Sequence, residues 1–440
     1  IMLEEINANP DLLPGYTLKI VWQDGRCDGE VATEQFLESV LLRRYKAFAP
    51  STPIEDLDAD GDGILDTEDT ESMIELWNSS RVHPDPIGVL IGCSAPAISI
   101  ANIAARVHLP VVSNIATRVS LSDRTQFPHF FRTIMPDTVF NAAWVALARM
   151  LNQSSVVPVI GGGSMGSMGA KLAEDAQAQG VELAGNDLTE TVAANFYGVE
   201  ILKNEPILAR QAAQDLYSLR RRIVILLIFD ALARLLLCEA YKRGFHNAIY
   251  MTFGWLPYGW WAGSDTACTP QQLTSVATYF VAADAVKFRR DDHVRLSCSA
   301  AMSSGQLERE WYRRQGAPVG NLARRPEGFF LATESATTAD AICMYAQMLH
   351  EVLVVRGLPL SALAARTERT YGLVQGLFAR TDFEGCQGRV RFPPGSGDPR
   401  GSVILQQLQE GGVLVDIAAY DHPRFNFLGK ANLTFHFPGE

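Results

Sequence analysis

Two strand-like segments of this 440-residue chain end in small hydroxyl side chains: Ile91-Gly-Cys-Ser94 and Leu109-Pro-Val-Val-Ser-Asn-Ile-Ala-Thr117. In an open α/β sheet, ligands sit just beyond the carboxyl ends of the strands. Ser94 and Thr117 can converge there on one carboxylate as neutral donors. That chemistry suits a sensor for a small amino-acid-like molecule better than an enzyme. Gly254-Trp255-Leu-Pro-Tyr-Gly-Trp-Trp261 closes another strand with aromatic side chains. Such rings can cover an aliphatic ligand or a cation, although a cluster of this kind more often fills core at a lobe edge.

A second chemistry is written in Asp58-Ala-Asp60-Gly-Asp62-Gly63-Ile64-Leu-Asp66-Thr-Glu-Asp69. Side-chain oxygens of Asp58, Asp60, Asp62, Asp66 and Asp69, with the carbonyl of Ile64, can wrap one Ca²⁺, and Gly63 permits the sharp turn. Asp69 stands where an EF-hand has Glu, and Pro53 lies just upstream, so the loop resembles single calcium loops more than a full helix-loop-helix. It reads as a structural insertion; the bland alternative is a solvated acidic turn.

Gly161-Gly-Gly-Ser-Met-Gly166 follows a strand, opens a helix and matches a dinucleotide fingerprint, with Glu182 at a tolerable distance for a ribose. This is the best argument for a nucleotide-dependent oxidoreductase. The pattern is weak alone, and it lies mid-chain behind a whole α/β unit, so glycines that merely open a helix are the preferred reading. No GxSxG nucleophile signature occurs, and the eight histidines are scattered. The seven cysteines contain no CxxC pair, which argues against zinc.

Alternating elements must position these groups. Strands are expected at 17–22, 87–91, 110–113, 156–160, 223–229 and 248–253, and helices at 30–45, 97–106, 137–151, 170–179, 231–243 and 338–355. The alternation implies parallel, doubly wound sheets. A chain of this length suits two lobes. Hydrophobic residues at 47% and charged residues at 20% are ordinary for a globular protein. A net charge of −11 without any basic run argues against nucleic acid as the partner. The most apolar window, 223–237, is broken by Asp230 and Arg234 and is too short to span a membrane. The opening residues, from Ile1, read as a helix rather than a secretory leader.

Several segments together resemble the ligand-binding, Venus-flytrap region shared by class C G-protein-coupled receptors, natriuretic-peptide receptors and bacterial amino-acid-binding proteins, and within it the metabotropic GABA (GABA-B) branch. They include Leu3 to Tyr16, Asp24-Gly-Arg-Cys-Asp28, Gly92-Cys-Ser94, Leu121 to Thr133, Cys238-Glu-Ala-Tyr-Lys242, Gly254-Trp255, Ala339-Asp-Ala-Ile342 and Asp382-Phe-Glu-Gly385, in the family's order.

The resemblance implies a type I periplasmic-binding-protein-like α/β fold. Two doubly wound parallel-sheet lobes are joined by three crossovers: 1–133 as lobe one with the acidic loop 56–69 inserted, 134–270 as lobe two, 271–378 as lobe one, and 379–440 as a lobe-two strand and return segment. It implies that Ser94 and Thr117 hold a ligand carboxylate and that Trp255 covers the ligand from lobe two. Phe229 stands in place of a tyrosine. Glu334 matches the acid that receives the amine in the GABA branch, and Asp137 the acid that does so in glutamate receptors. Ile134 replaces a histidine. Disulfides Cys27–Cys93 and Cys238–Cys268 are implied, with Cys298, Cys343 and Cys386 unplaced. The family's first strand is expected to precede Ile1.

The expected whole is an extracellular, non-enzymatic sensor at the plasma membrane, dimeric through lobe one. The alternatives are a ligand-free partner subunit, a receptor guanylyl cyclase ectodomain or, further off, the oxidoreductase.

Overall fold

A computed structural model describes residues 1–22, 24–38, 86–162, 165–190, 192, 196–201, 203–286, 288–315, 334–421 and 424–427. The continuous apolar runs at the two hydroxyl-tipped segments become two strands of a small parallel sheet. Its strands are β1 (Val89–Ile91), β2 (Val111–Ser113) and β3 (Phe130–Arg132), in that order. β2 and β3 are buried on both faces and β1 is partly buried, which explains the lack of polar alternation. Val111 and Phe130 face a core with Phe36, Ile100 and Ala104. Val112 and Phe131 face the opposite core with Met344, Leu349 and Phe378. The helices Gly29–Leu37 and Ser94–Arg106 cover the first face. Helices Met2–Ala8, Glu334–His350 and Glu368–Phe378 contribute to the second.

Residues 17–22, expected as a strand, join no ladder among the described residues. The Leu18 N–H donates to Asn7 Oδ1 at 2.8 Å and its carbonyl accepts from Asn7 Nδ2 at 2.9 Å, so a side chain takes the bonds that a neighbouring strand would supply.

The second sheet is built on β4 (Ser155–Gly161), β5 (Glu182–Leu183), β6 (Asn186–Asp187), β7 (Tyr197–Ile201), β8 (Ile223–Leu227), β9 (Ile249–Phe253) and β10 (Val281–Ala285). A hairpin of β11 (Asp382–Glu384) and β12 (Arg389–Arg391) stands apart. Then β13 (Val403–Gln409), β14 (Val413–Asp421) and β15 (Arg424–Phe427) return to the second sheet. Its order is β15-β14-β13-β10-β9-β8-β4-β7-β6, with β5 on β4. The central strands β7, β4, β8, β9 and β10 run parallel, while β13 to β15 add antiparallel at one edge. Helices Val139–Met150 and Met165–Gln179 pack together, as do Pro206–Leu219, Asp230–Lys242 and Pro270–Ala277.

The chain passes between the sheets at 133–138, just after Ala285, and at 392–402. The second and third passages lie later than the expected boundaries. Val281-Ala-Ala-Asp-Ala285 pairs with β9 in the second sheet, so the chain leaves that sheet after 285 and not at 270. Its small side chains carry no strong hydrophobic period. Phe383 and Val390 of the hairpin pack in the first lobe's core, so the last return comes near 402 and not at 379. The passages are tied to one another: Arg132 N–H donates to the Gly397 carbonyl at 3.0 Å and Val286 N–H to the Ser402 carbonyl at 3.1 Å. A Cβ at Gly397 would overlap the Phe130 carbonyl oxygen, so only glycine fits this close approach.

Three disulfides are present: Cys27–Cys93, Cys238–Cys268 and Cys298–Cys343. The first two match the implied pairs. The third places two of the cysteines that the sequence left unassigned, and Cys386 remains a buried free thiol.

Candidate functional site

Ser94 is the first residue of the helix Ser94–Arg106, directly after Cys93, whose disulfide to Cys27 anchors the helix start. Ser94 Oγ accepts from the Arg118 N–H at 3.1 Å. With that bond on an oxygen lone pair, the hydroxyl hydrogen is left to donate elsewhere. Buried Ser113, at the end of β2, shapes the next turn: its Oγ donates to the Gly92 carbonyl at 3.0 Å and accepts from the Ala116 N–H at 3.0 Å. That turn brings Thr117 beside Asp137.

Thr117 Oγ1 donates to Asp137 Oδ2 at 2.8 Å, and the Asp137 N–H returns a bond to the Thr117 carbonyl at 3.1 Å. Thr117 therefore spends its hydroxyl hydrogen on the carboxylate of the first crossover. While that bond stands, it has no hydrogen for a ligand carboxylate, and Ser94 alone of the pair retains one. Asp137 is buried, with 9% of its surface exposed. Burial pushes its carboxyl up to about 6; the Thr117 bond, the Arg132 charge and the Trp255 indole pull the other way, and the Asp284 carboxylate adds to the rise. Asp137 Oδ1 is buried without a hydrogen-bond partner.

Trp255 follows β9 and stacks on Phe253 with ring centroids 4.7 Å apart. Its Nε1 lies close enough to Asp137 to favour the charged carboxylate, yet it makes no hydrogen bond. Phe229, between β8 and the helix Asp230–Lys242, packs 5.9 Å from Trp255 and leaves 53% of its surface exposed. Ser94, Thr117, Asp137, Trp255 and Phe229 thus form one contiguous set, the first two just beyond strands of the first sheet and the aromatics just beyond strands of the second.

Glu334 opens the helix Glu334–His350. Among the described residues its carboxylate makes no hydrogen bond or ion pair, and only its carbonyl is engaged, by Thr337 Oγ1 at 3.0 Å. The helix is tied to the site's surroundings through Thr133 Oγ1 to the Thr337 carbonyl at 2.8 Å, and Asn114 Nδ2 to Thr338 Oγ1 at 2.7 Å. No bond joins Glu334 itself to Ser94, Thr117 or Asp137.

Arg132 is the residue that sequence reasoning missed. It is fully buried, and its guanidinium donates to the Ala116 carbonyl at 2.7 Å, the Arg118 carbonyl at 3.1 Å, Ser122 Oγ at 2.6 Å and Asp398 Oδ1 at 2.6 Å. An arginine closing an apolar strand, Phe130-Phe131-Arg132, was the available signal. A cavity of about 730 Å³ lies away from this set, against the crossovers.

Of the described glycines in 161–166, Gly161 serves packing, while a Cβ at Gly166 would meet open space. Gly161 sits against Ile228, a Cβ there meeting its Cγ2 at 3.2 Å, and Gly169 admits Ile160 and Val192 against the helix. The calcium-loop residues Asp58, Asp60, Asp62, Ile64, Asp66 and Asp69 lie outside the described residues. Among the described residues no helix is long and apolar enough to cross a membrane.

Two α/β sheets joined by three passages, with polar and aromatic residues collected at the strand ends between them, define a two-lobed ligand-binding module of periplasmic-binding-protein-like fold. The chain belongs to the receptor family ligand binding region, whose family model matches residues 2–406. It is similar to gamma-aminobutyric acid type B receptor subunit 1 of Mus musculus, 24% identical over 430 residues that cover 95% of this chain and 37% of the relative. The Caenorhabditis elegans protein of the same name is 24% identical over 418 residues, 93% of this chain and 39% of the relative. A metabotropic glutamate receptor of Drosophila melanogaster is 29% identical over 168 residues, 38% of this chain and 16% of the relative. The chain spans under two fifths of the length of these relatives. They are receptors and not enzymes, which removes the oxidoreductase reading.

Proposed function

We propose that the chain is the extracellular ligand-binding module of a class C receptor at the plasma membrane, GABA-B-like, which senses a small amino-acid-like ligand by closing its two lobes. The observation that carries this reading is the buried Oδ1 of Asp137, which has no hydrogen-bond partner, on a carboxylate held by Thr117 and approached by the Trp255 indole. A zwitterion needs an acceptor for its ammonium and a donor for its carboxylate. Asp137 supplies the first and Ser94 the second. Thr117 holds Asp137 in place, while Trp255 and Phe229 approach from the other lobe. A ligand that touches both lobes favours the closed arrangement by its differential contacts.

Glu334, which the GABA branch favours for the amine, is the second acceptor. Dimerisation through lobe one, a structural Ca²⁺ at Asp58 to Asp69, and a seven-helix or cyclase output beyond this chain belong to the same reading. The rival is a partner subunit that binds no ligand. Its support is the committed Thr117 hydroxyl and the apolar Ile134 and Phe229. A calorimetric screen of soluble amino acids separates the two: saturable heat from at least one supports the sensor, and none supports the silent partner.

A further inference from the structure

The cavity of about 730 Å³ is lined by all three passages between the lobes and contains none of the cleft residues Ser94, Thr117, Asp137, Trp255 or Glu334. Met135 comes from the first passage and Val139 from the helix start that follows it, Val286 from the second, and Val390 from the hairpin before the third, so apolar side chains form much of its wall. Gly401 presses on the Met135 sulfur, where a Cβ would come within 2.7 Å. The wall at Gln387 hangs on buried Asp340, which accepts from the N–H groups of Cys386 at 2.6 Å and Gln387 at 3.3 Å.

The charged groups at the rim differ in their commitments. Arg389 is paired with Asp382 through bonds of 2.5 and 2.9 Å. Asp421 accepts from Ser402 Oγ, and from Asn426 Nδ2 at 2.9 Å. Arg400 also lines the cavity, and among the described residues its guanidinium has no hydrogen bond or ion pair. A cavity of roughly 300–1,000 Å³ with apolar walls and a few convergent polar groups has the dimensions of a small-molecule site. A guanidinium at its rim that pairs with none of the described residues favours an anion.

We propose that this cavity is a second ligand site, separate from the cleft, for an organic monoanion with a compact apolar body, held by Arg400 at its charged end and by Met135, Val139, Val286 and Val390 along its body. The probe is 1-anilinonaphthalene-8-sulfonate, titrated by fluorescence into the chain. Saturable one-site binding is expected. Arg400→Ala should weaken it by about tenfold or more, since it removes a charge-assisted bond. Val139→Trp, at a half-buried lining position, puts an indole into the cavity and should abolish it, with the melting temperature measured alongside as the control for folding. Ser94→Ala and Asp137→Asn should bind the probe like the parent. The proposal is overturned by the absence of saturable binding, by Arg400→Ala binding like the parent, or by loss of binding in the Ser94 or Asp137 variants, which would put the probe in the cleft. Among the described residues the Arg400 side chain makes no hydrogen bond or ion pair, and its variant keeps the backbone bond to the Arg391 carbonyl, so it decides the matter even where Val139→Trp fails to fold.

Discussion

Arg132 and Asp398 stand 266 residues apart in sequence and 2.6 Å apart in the fold. The guanidinium that meets Asp398 in the third passage also holds the carbonyls of Ala116 and Arg118 on either side of Thr117. One buried cation therefore fixes the end of β3, the loop that carries the candidate ligand contacts and the strand that returns to the second lobe. The geometry of the cleft and that of the hinge are set by the same side chain.

Arg132→Leu leaves Asp398, two carbonyls and the Ser122 hydroxyl without their donor. Breaking a buried pair from one side costs about 3–5 kcal/mol. The midpoint of urea unfolding should fall accordingly at an unchanged slope. Asp398→Asn should cost less, because Asp398 is 17% exposed and water reaches it. Equal stability of parent and Arg132→Leu would show that the network carries no free energy.

Burial pushes the Asp340 carboxyl from 3.8 up to about 7, against the backbone donors of Cys386 and Gln387. The folded state therefore holds this proton more tightly than the unfolded chain. The resulting stability is fully present below the unfolded value near 3.8 and is lost as pH rises through about 7. Melting temperatures measured from pH 4 to pH 8 should fall more steeply for the parent than for Asp340→Asn. Identical slopes would contradict the assignment.

Much of the scaffold was legible because its strands are buried on both faces. Val156 to Ile160 and Ile223 to Leu227 are unbroken apolar runs, and such runs bounded by polar turns announce a parallel sheet. Val281 to Ala285 escaped notice because alanine and aspartate give no period. Residues 17–22 read as a strand-like apolar run, but pairing is a long-range property, and the Asn7 side chain takes the bonds of Leu18. Family resemblance named Ser94, Asp137 and Trp255 as candidate ligand contacts, and the fold carries Ser94 and Trp255 on different lobes. The donor and acceptor assignment was not legible, because it depends on where Thr117 sends its hydrogen. Arg132 was invisible for a related reason: its partners are carbonyls and a residue hundreds of positions away. No spacing rule pairs Cys298 with Cys343.

The Cys298–Cys343 bridge closes a separation of 45 residues inside the first lobe's core. Replacing both cysteines by alanine should cost roughly 2–4 kcal/mol. Peptide mapping without reductant on secreted material should recover this pair together with Cys27–Cys93 and Cys238–Cys268. Recovery of all six as free thiols would remove the extracellular assignment as well.

Calcium is expected to raise the melting temperature through Asp58, Asp60, Asp62, Asp66 and Asp69. Asp60→Ala should abolish that shift and, on the sequence reading of the loop as a structural insertion, leave cleft affinity nearly unchanged. A parent protein indifferent to calcium and to chelator would make the loop a solvated turn.

The most direct test is calorimetric titration of Asp137→Asn, Glu334→Gln and Ser94→Ala with the tightest-binding amino acid from the screen. Asp137→Asn should lose about 2–5 kcal/mol of binding, since it leaves the ammonium buried beside a neutral amide. Ser94→Ala should lose less, on the order of 1.5–3 kcal/mol for a bond to a charged group. Glu334→Gln, whose carboxylate joins none of the other cleft residues, should lose least. Parent-like binding by Asp137→Asn together with a large loss in Glu334→Gln would contradict the assignment and move the ammonium to Glu334.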